Sequence, residues 1–176
     1  MLRMTAGRNW RLWLIVIICS LSNLLVLGHF DVDVYGALAQ SNFITTVPNV
    51  IMLLVVYRYL YLNHRMKLFL IPRIGLQQYL KQQLKNSCLL MAIYLMIQYG
   101  VNASLLQVAY PDRISVIGLY MLINFVILIG QVLILNLINF DMNGYAIVTI
   151  VLIINFIMHY GIVQNSLSSL YVRGHL

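Results

Sequence analysis

Polar side chains inside long apolar runs are the residues of this sequence best placed to do chemistry. Burying a polar group in hydrocarbon is costly, so such residues are candidates for a functional role. Asn155 and His159 are four residues apart, and Asn124 and Gln131 are seven apart, so each pair shares one face of a helix. Across three apolar runs, the candidate residues for a substrate pathway are Gln98, Asn102, Asn124, Gln131, Asn155 and His159.

The chemistry that these groups could support is binding rather than proton transfer. His159 is the one ionisable side chain well inside an apolar run, and a proton relay would need a carboxylate near it. The four acidic residues all fall in predicted loops or turns: Asp31, Asp33, Asp112 and Asp141. Neutral groups could line a pathway for an amphiphilic substrate such as a peptide or a lipid. Alternatively, the amides form hydrogen bonds between helices, worth about 0.6 kcal/mol each, and we favour this interpretation.

The motifs of common enzymes are absent from the sequence. It contains no H-E-x-x-H zinc motif, no G-x-S-x-G nucleophile motif and no G-x-x-x-x-G-K-[ST] phosphate-binding loop. We therefore predict a non-enzymatic protein with no cofactor of its own, and any use of ATP would need a separate subunit. Cys19 and Cys88 are far apart, and no Cys or His cluster has the spacing of metal ligands, so no metal site is expected.

The composition is that of a membrane protein. The 176 residues are 62% hydrophobic and 9% charged, with a mean hydropathy of +0.89, whereas soluble domains carry about 25% charged residues. The net charge of +7 does not indicate nucleic-acid binding, because nine of the eleven Lys and Arg residues lie in segments 3–11 and 58–85, which flank apolar runs. Cytoplasmic loops carry such an excess of basic residues. We therefore predict a multi-pass protein of the cell membrane with a cytoplasmic N terminus.

The elements that must position the polar residues form an all-α fold in a single transmembrane domain over residues 1–176. We expect about five spans, with a sixth left open: Leu12–Gly28, Phe43–Leu62, Asn86–Tyr110, Ile114–Phe140 and Tyr145–Gln164. In the basic interval between the second and third spans, leucines recur at every fourth position from Leu76 to Leu84. This spacing predicts a cytoplasmic amphipathic helix over Leu76–Lys85, and Pro72 and Gly75 mark its start.

The order of these parts resembles the membrane subunit of ABC-2 type transporters, the small permeases that work with a separate ATPase. The likeness rests on Arg73-Ile74-Gly75, which is followed by the predicted helix Leu76–Lys85 and a span. In that family the corresponding helix docks onto the ATPase, and an N-terminal segment lies along the inner membrane surface. The resemblance implies docking residues at Arg73, Gly75, Leu76, Tyr79, Leu80 and Leu84, and interfacial residues at Arg3, Arg8 and Trp10.

The resemblance also implies the partners of the chain. They are membrane lipid, a cytoplasmic ATPase subunit that binds the ATP, and a second permease copy or homologue, with no nucleic acid. The family typically has six spans, one more than the five predicted here, so an accessory permease is a further interpretation.

Two other classes of membrane protein fit the sequence. One is a substrate-binding subunit similar to the S-components of vitamin transporters, which normally carry an A-x-x-x-A pattern on an early helix. No such pattern occurs in Leu12–Gly28. The other is a membrane immunity or sensor protein. Partnership separates these classes, because a permease copurifies with an ATPase and an immunity protein need not.

Overall fold

The protein is an assembly of helices in every part that the computed structural model describes, namely residues 14–19, 21, 45–105 and 114–167. A helical segment at 14–19 precedes Val47–Arg65 (α1), Lys67–Ile74 (α2) and Leu76–Leu105 (α3). Ile114–Leu135 (α4) continues into a 3-10 turn at Asn136–Phe140, and Gly144–Ile157 (α5) continues into a π-helical segment at Met158–Leu167. No strand occurs among these residues. The predicted all-α fold is confirmed for the described part of the chain.

Three of the described helical stretches are long and apolar enough to cross a membrane: Leu76–Ser104, Ile114–Phe140 and Gly144–Ile162. They fall on the third, fourth and fifth predicted spans. The second predicted span falls on α1, which is helical but carries Arg58 in its middle and His64 and Arg65 at its end. The first predicted span lies mostly outside the described residues.

The core of the bundle is apolar and α1 lies at its centre, because α1 packs against α3, α4 and α5. The residues that form this core are fully or almost fully buried, and they include Val16, Cys19, Met52, Leu53, Val56, Leu60, Met91, Leu95, Leu128, Val132, Leu135 and Val151. The outward faces are apolar too, since Leu122 and Val126 of α4 are 61% and 60% exposed. A helix that is apolar on all sides is typical of a membrane span.

The predicted amphipathic helix is not a separate element. It begins at Leu76 as predicted, but it continues without a break through Asn86, so that its residues are the first three turns of the 30-residue α3. Gly75 makes the corner between α2 and α3 with φ +78° and ψ 151°, a backbone conformation that is almost restricted to glycine. The Gly75 N–H donates to the Ile71 carbonyl at 2.8 Å, and the Gly75 carbonyl accepts from the Tyr79 N–H at 3.0 Å.

Helix α2 was not expected from the sequence, in which Pro72 was interpreted as part of the start of the following helix. Pro72 instead lies near the end of α2, which ends two residues later at Ile74. A tight turn at Asp141-Met142-Asn143-Gly144 lies between the 3-10 turn and α5. Asp141 has the left-handed conformation (φ 63°), and the Asn143 side chain caps α5 by accepting from the Tyr145 N–H at 3.0 Å.

Candidate functional site

The corner between α2 and α3 brings three of the six predicted docking residues to one exposed surface. Arg73, Gly75 and Leu76 are all exposed, and the Leu76 side chain is 48% accessible. The corner is concave, and its lining residues are Ile74, Gly75, Leu76, Gln77, Gln78 and Lys81. We call this surface the corner surface. Further along α3, Leu84 is also exposed, whereas Leu80 is half-buried.

Tyr79 does not belong to the corner surface, although the sequence placed it among the docking residues. Its side chain is 1% exposed, and its hydroxyl donates to Asn139 Oδ1 at 3.2 Å. The spacing of Leu76, Leu80 and Leu84 defines one stripe of the helix, and Tyr79 lies beside that stripe on the side that faces the bundle. The correction follows from the contact with the 3-10 turn, which no sequence pattern reveals.

Tyr79 is the first member of a buried hydrogen-bond network that joins the first turns of α3 to the 3-10 turn. Asn139 Nδ2 donates to Asn136 Oδ1 at 3.5 Å, and Asn136 Nδ2 donates to Ser87 Oγ at 2.9 Å. Ser87 Oγ in turn donates to the Gln83 carbonyl at 2.8 Å. Most buried polar groups in proteins are hydrogen-bonded, and these bonds join the first turns of α3 to the end of α4.

Apart from Tyr79, sequence reasoning missed the members of this network. The available signal was weak: Gln83 and Ser87 are four residues apart in α3, and Asn136 and Asn139 are three apart in the 3-10 turn. Each pair therefore shares a face of its own helix. Nothing in the spacing indicates that the two faces meet.

An ion pair ties the junction of α1 and α2 to the turn before α5. Lys67 Nζ donates to Asp141 Oδ2 at 2.8 Å and to the Asn139 carbonyl at 3.2 Å, and His64 Nε2 lies 3.4 Å from Asp141 Oδ1. The hydrogen bond from Lys67 lowers the pKa of the Asp141 carboxyl. The Asp141 side chain is 71% exposed, and exposed ion pairs contribute little to stability.

We expect this ion pair to give the protein a small acid sensitivity that Asp141→Asn removes. The pKa of Asp141 is lower in the folded protein than its ordinary value of 3.8. The stabilisation is therefore complete above pH 3.8 and is lost as the pH falls through the lowered pKa. Thermal unfolding in detergent should show a decrease in melting temperature over that acidic range, smaller in Asp141→Asn than in the wild type. Equal decreases would contradict the assignment.

All six residues of the candidate substrate pathway are buried. The exposed fractions do not exceed 8% in any of them: Gln98, Asn102, Asn124, Gln131, Asn155 and His159. The structure brings Asn124, Asn155 and His159 together, because these three line one small cavity with Thr46 and Asn49 of the α1 region. Its volume of about 10 Å³ is close to the lower limit for a single water molecule.

Hydrogen bonds around this cavity join neighbouring helices. Asn124 Nδ2 donates to the Tyr99 hydroxyl at 2.7 Å, and the Tyr94 hydroxyl donates to Asn49 Oδ1 at 2.9 Å. These bonds connect α4 to α3 and α3 to α1. They agree with the interpretation that the buried amides form hydrogen bonds between helices. Asn155 Nδ2 is buried without a partner among the described residues.

The other three pathway residues do not line the cavity. Gln98 and Asn102 are successive on the buried face of α3, where Asn102 Nδ2 donates to the Gln98 carbonyl at 2.8 Å. Gln131 of α4 is 1% exposed, and within the described part of the chain neither its Oε1 nor its Nε2 has a hydrogen-bond partner. In this conformation the six residues therefore form one cluster of three around the cavity and separate polar positions elsewhere, rather than a continuous channel.

Two regions thus stand out, the corner surface at the basic end of the bundle and the buried polar cavity between α1, α4 and α5. Among the described residues, no group of His, Cys, Asp and Glu side chains is placed to hold a metal ion. Comparison with known protein families, with characterised proteins and with solved structures gives no match, so the function of both regions is inferred from their geometry alone.

Proposed function

We propose that this chain is the non-catalytic, membrane-spanning permease subunit of an ABC-type transporter, and that its corner surface docks onto a separate cytoplasmic ATPase. One observation carries the proposal: the exposed, concave and basic corner at Gly75 is built directly onto a helix long enough to span the membrane. A docking element must pass movement of its partner to the spans. An uninterrupted helix does so as a rigid rod.

The corner surface has a chemistry suited to a protein partner. Leu76 supplies an exposed apolar contact, Gln77 and Gln78 supply amide donors and acceptors, and Arg73 and Lys81 supply positive charge. An apolar centre with a polar and charged rim is the usual composition of a protein interface. The expected partner surface is therefore acidic around an apolar pocket.

Two routes would carry movement from the corner surface into the bundle. The first is α3 itself, which runs from Leu76 to Leu105. The second is the buried network from Tyr79 through Asn139 and Asn136, which joins α3 to the end of α4. Displacement of the corner by an ATPase would then tilt α3 and α4 together and alter the packing around the polar cavity.

The proposed topology has about five spans with the N terminus and the corner surface in the cytoplasm. Helix α1 serves as the second span, because its buried residues pack against all three of the long apolar helices. Arg58 is exposed on α1 and lies two turns from its basic end, so its side chain can extend to the interface. The basic residues at this end agree with a cytoplasmic position.

The proposed substrate is amphiphilic, such as a peptide or a lipid. The cavity between α1, α4 and α5 is lined mainly by uncharged amides and hydroxyls, which suit neutral polar groups. A cavity of about 10 Å³ is too small for such a molecule. Substrate passage therefore requires α1, α4 and α5 to separate, and ATP-driven movement of the corner would supply that change.

The test is copurification of the tagged full-length chain in mild detergent, followed by mass spectrometry and an ATPase assay. We expect a stoichiometric nucleotide-binding partner that is bound at least about tenfold more weakly by Leu76→Glu, since loss of a central interface contact typically costs about 2 kcal/mol. Asn86→Glu is the matched control, because it also replaces a neutral residue by a glutamate, at an exposed position on the same helix outside the corner surface.

Three results would contradict the proposal. The chain could copurify alone, it could copurify with a peptide or a non-ATPase enzyme, or the two variants could bind the ATPase equally well. The first two results would favour an immunity or sensor protein. The third would place the docking surface elsewhere.

A further inference from the structure

Helix α2 has an outward face that the bundle does not cover. The residues on its inner side are half-buried, and they recur with helical spacing: Lys67, Leu70, Ile71 and Ile74. On the opposite side Leu68 is 82% exposed and Phe69 is 75% exposed. Arg65, at the end of α1, and Pro72 of α2 are also exposed. A short helix thus presents an apolar surface away from the protein.

This outward face lies near the ends of the long helices. Near it α1 ends, α3 begins and the turn between α4 and α5 is found, and Lys67 of α2 pairs with Asp141 in that turn. A charged pair with an exposed carboxylate is too costly for the hydrocarbon region. The turn also carries exposed apolar side chains, since Phe140 is 62% exposed and Tyr145 is 75% exposed. Aromatic side chains at span ends are typical of the headgroup level.

The charge around α2 is basic apart from Asp141, which pairs with Lys67. Segment 34–111 contains no acidic residue, and its cations include Arg58, Arg65, Lys67, Arg73, Lys81 and Lys85. Lys67 is paired with Asp141, whereas Arg65 and Arg73 are exposed on either side of Leu68 and Phe69. Two copies of this face would repel each other because identical basic surfaces meet with like charge. The outward face of α2 is complemented by a surface that is negatively charged on the outside and apolar beneath.

We propose that α2 is an interfacial anchor that binds anionic phospholipid of the membrane. Leu68 and Phe69 insert at the boundary between headgroups and acyl chains, and Arg65 contacts the lipid phosphate. Amphipathic helices bind interfaces through this combination of apolar burial and electrostatic attraction. The inference is independent of the ATPase partner, because it concerns the outward face of α2 and not the corner surface.

The test uses the full-length chain reconstituted into vesicles, with a single tryptophan as a reporter of position. The sequence has only two tryptophans, Trp10 and Trp13, and both are replaced by Phe in every sample. Phe69→Trp is compared with Gln77→Trp, which reports from an exposed position of the corner surface. The vesicles are a three-to-one mixture of phosphatidylcholine and phosphatidylglycerol. Either lipid is brominated on its acyl chains to quench nearby tryptophan, and acrylamide is added to quench tryptophan in water.

We expect Phe69→Trp to be quenched by brominated lipid and Gln77→Trp to be quenched by acrylamide. Brominated phosphatidylglycerol should be enriched about two- to fivefold at Phe69→Trp relative to brominated phosphatidylcholine, as one basic residue near a membrane predicts. The enrichment should fall in Arg65→Gln and at high salt.

Other results would overturn the inference. Quenching of Phe69→Trp by acrylamide to the same extent as Gln77→Trp would place α2 in water. Protection from both quenchers would mean that protein covers the outward face. Quenching by the two brominated lipids in proportion to their three-to-one abundance would exclude selectivity for anionic phospholipid.

Discussion

Gly75→Ala is expected to lower the free energy of unfolding by about 1–3 kcal/mol, the usual cost of a residue held in a disfavoured backbone region. Gly75 has φ +78° and ψ 151°, and a Cβ there would meet no atom within 4 Å. The penalty therefore comes from the backbone alone and not from a collision with a neighbour. The backbone can relieve it only by changing the angle between α2 and α3, which would also deform the corner surface.

Gly100→Ala is the matched control, because Gly100 lies inside α3 and a Cβ there also meets nothing within 4 Å. In a regular helix, Ala is more favourable than Gly by about 0.5–1 kcal/mol. The two identical substitutions should therefore change the melting temperature in opposite directions. Similar melting temperatures for the two variants would show that Gly75 is not held in this conformation. Loss of ATPase binding in Gly75→Ala alone would further support docking at the corner surface.

Local sequence patterns predicted the parts of the fold that depend on local physics. The low content of charged residues and the long apolar runs indicated a helical membrane protein, and the described residues are helical except at short turns, with three stretches long enough to span. The start of α3 at Leu76 also followed from sequence, because Gly75 interrupts the helical pattern. The predicted boundary between the amphipathic helix and the third span is absent from the structure. The helix continues past Leu84 because no residue there interrupts it.

The orientation of α3 was harder to predict because its buried side carries polar as well as apolar residues. Its buried residues include Gln83, Ser87, Gln98 and Asn102, whereas Leu89 and Met96 are exposed by 51% and 71%. In hydrocarbon, polar groups turn inward to find partners and apolar groups face lipid. An apolar stripe therefore does not identify the side that faces the protein. Tyr79 was placed among the docking residues by the resemblance to ABC-2 type permeases, and the sequence pattern alone could not show that it is buried.

The long-range pairs could not be predicted from one sequence. Tyr79 and Asn139 are 60 residues apart, and Asn136 and Ser87 are 49 apart. Their meeting depends on how α3 and α4 cross, which no local spacing encodes. For the same reason, sequence spacing placed Asn124 and Gln131 on a shared helix face, but only Asn124 reaches the cavity with Asn155 and His159.

Buried amides of α4 and of the turn that follows it should respond differently to removal, according to whether they have partners. Asn136→Leu is expected to lower the free energy of unfolding by about 1–3 kcal/mol, because it breaks the bond to Ser87 and leaves Asn139 Nδ2 buried without an acceptor. Gln131→Met should leave the stability unchanged or raise it by about 1 kcal/mol. It removes an amide that has no partner among the described residues and keeps a similar length.

Thermal unfolding of both variants in the same detergent distinguishes an amide that stabilises the fold from an amide that does not. If Gln131→Met lowers the melting temperature as much as Asn136→Leu does, then the Gln131 amide makes a stabilising hydrogen bond. That result would contradict the prediction that it has no partner. If Gln131→Met is stable, the wild-type chain holds a costly polar group that folding does not need. The interpretation of Gln131 as part of a substrate pathway would then gain support, because a group that opposes stability in an apolar bundle is best explained by a ligand that it binds.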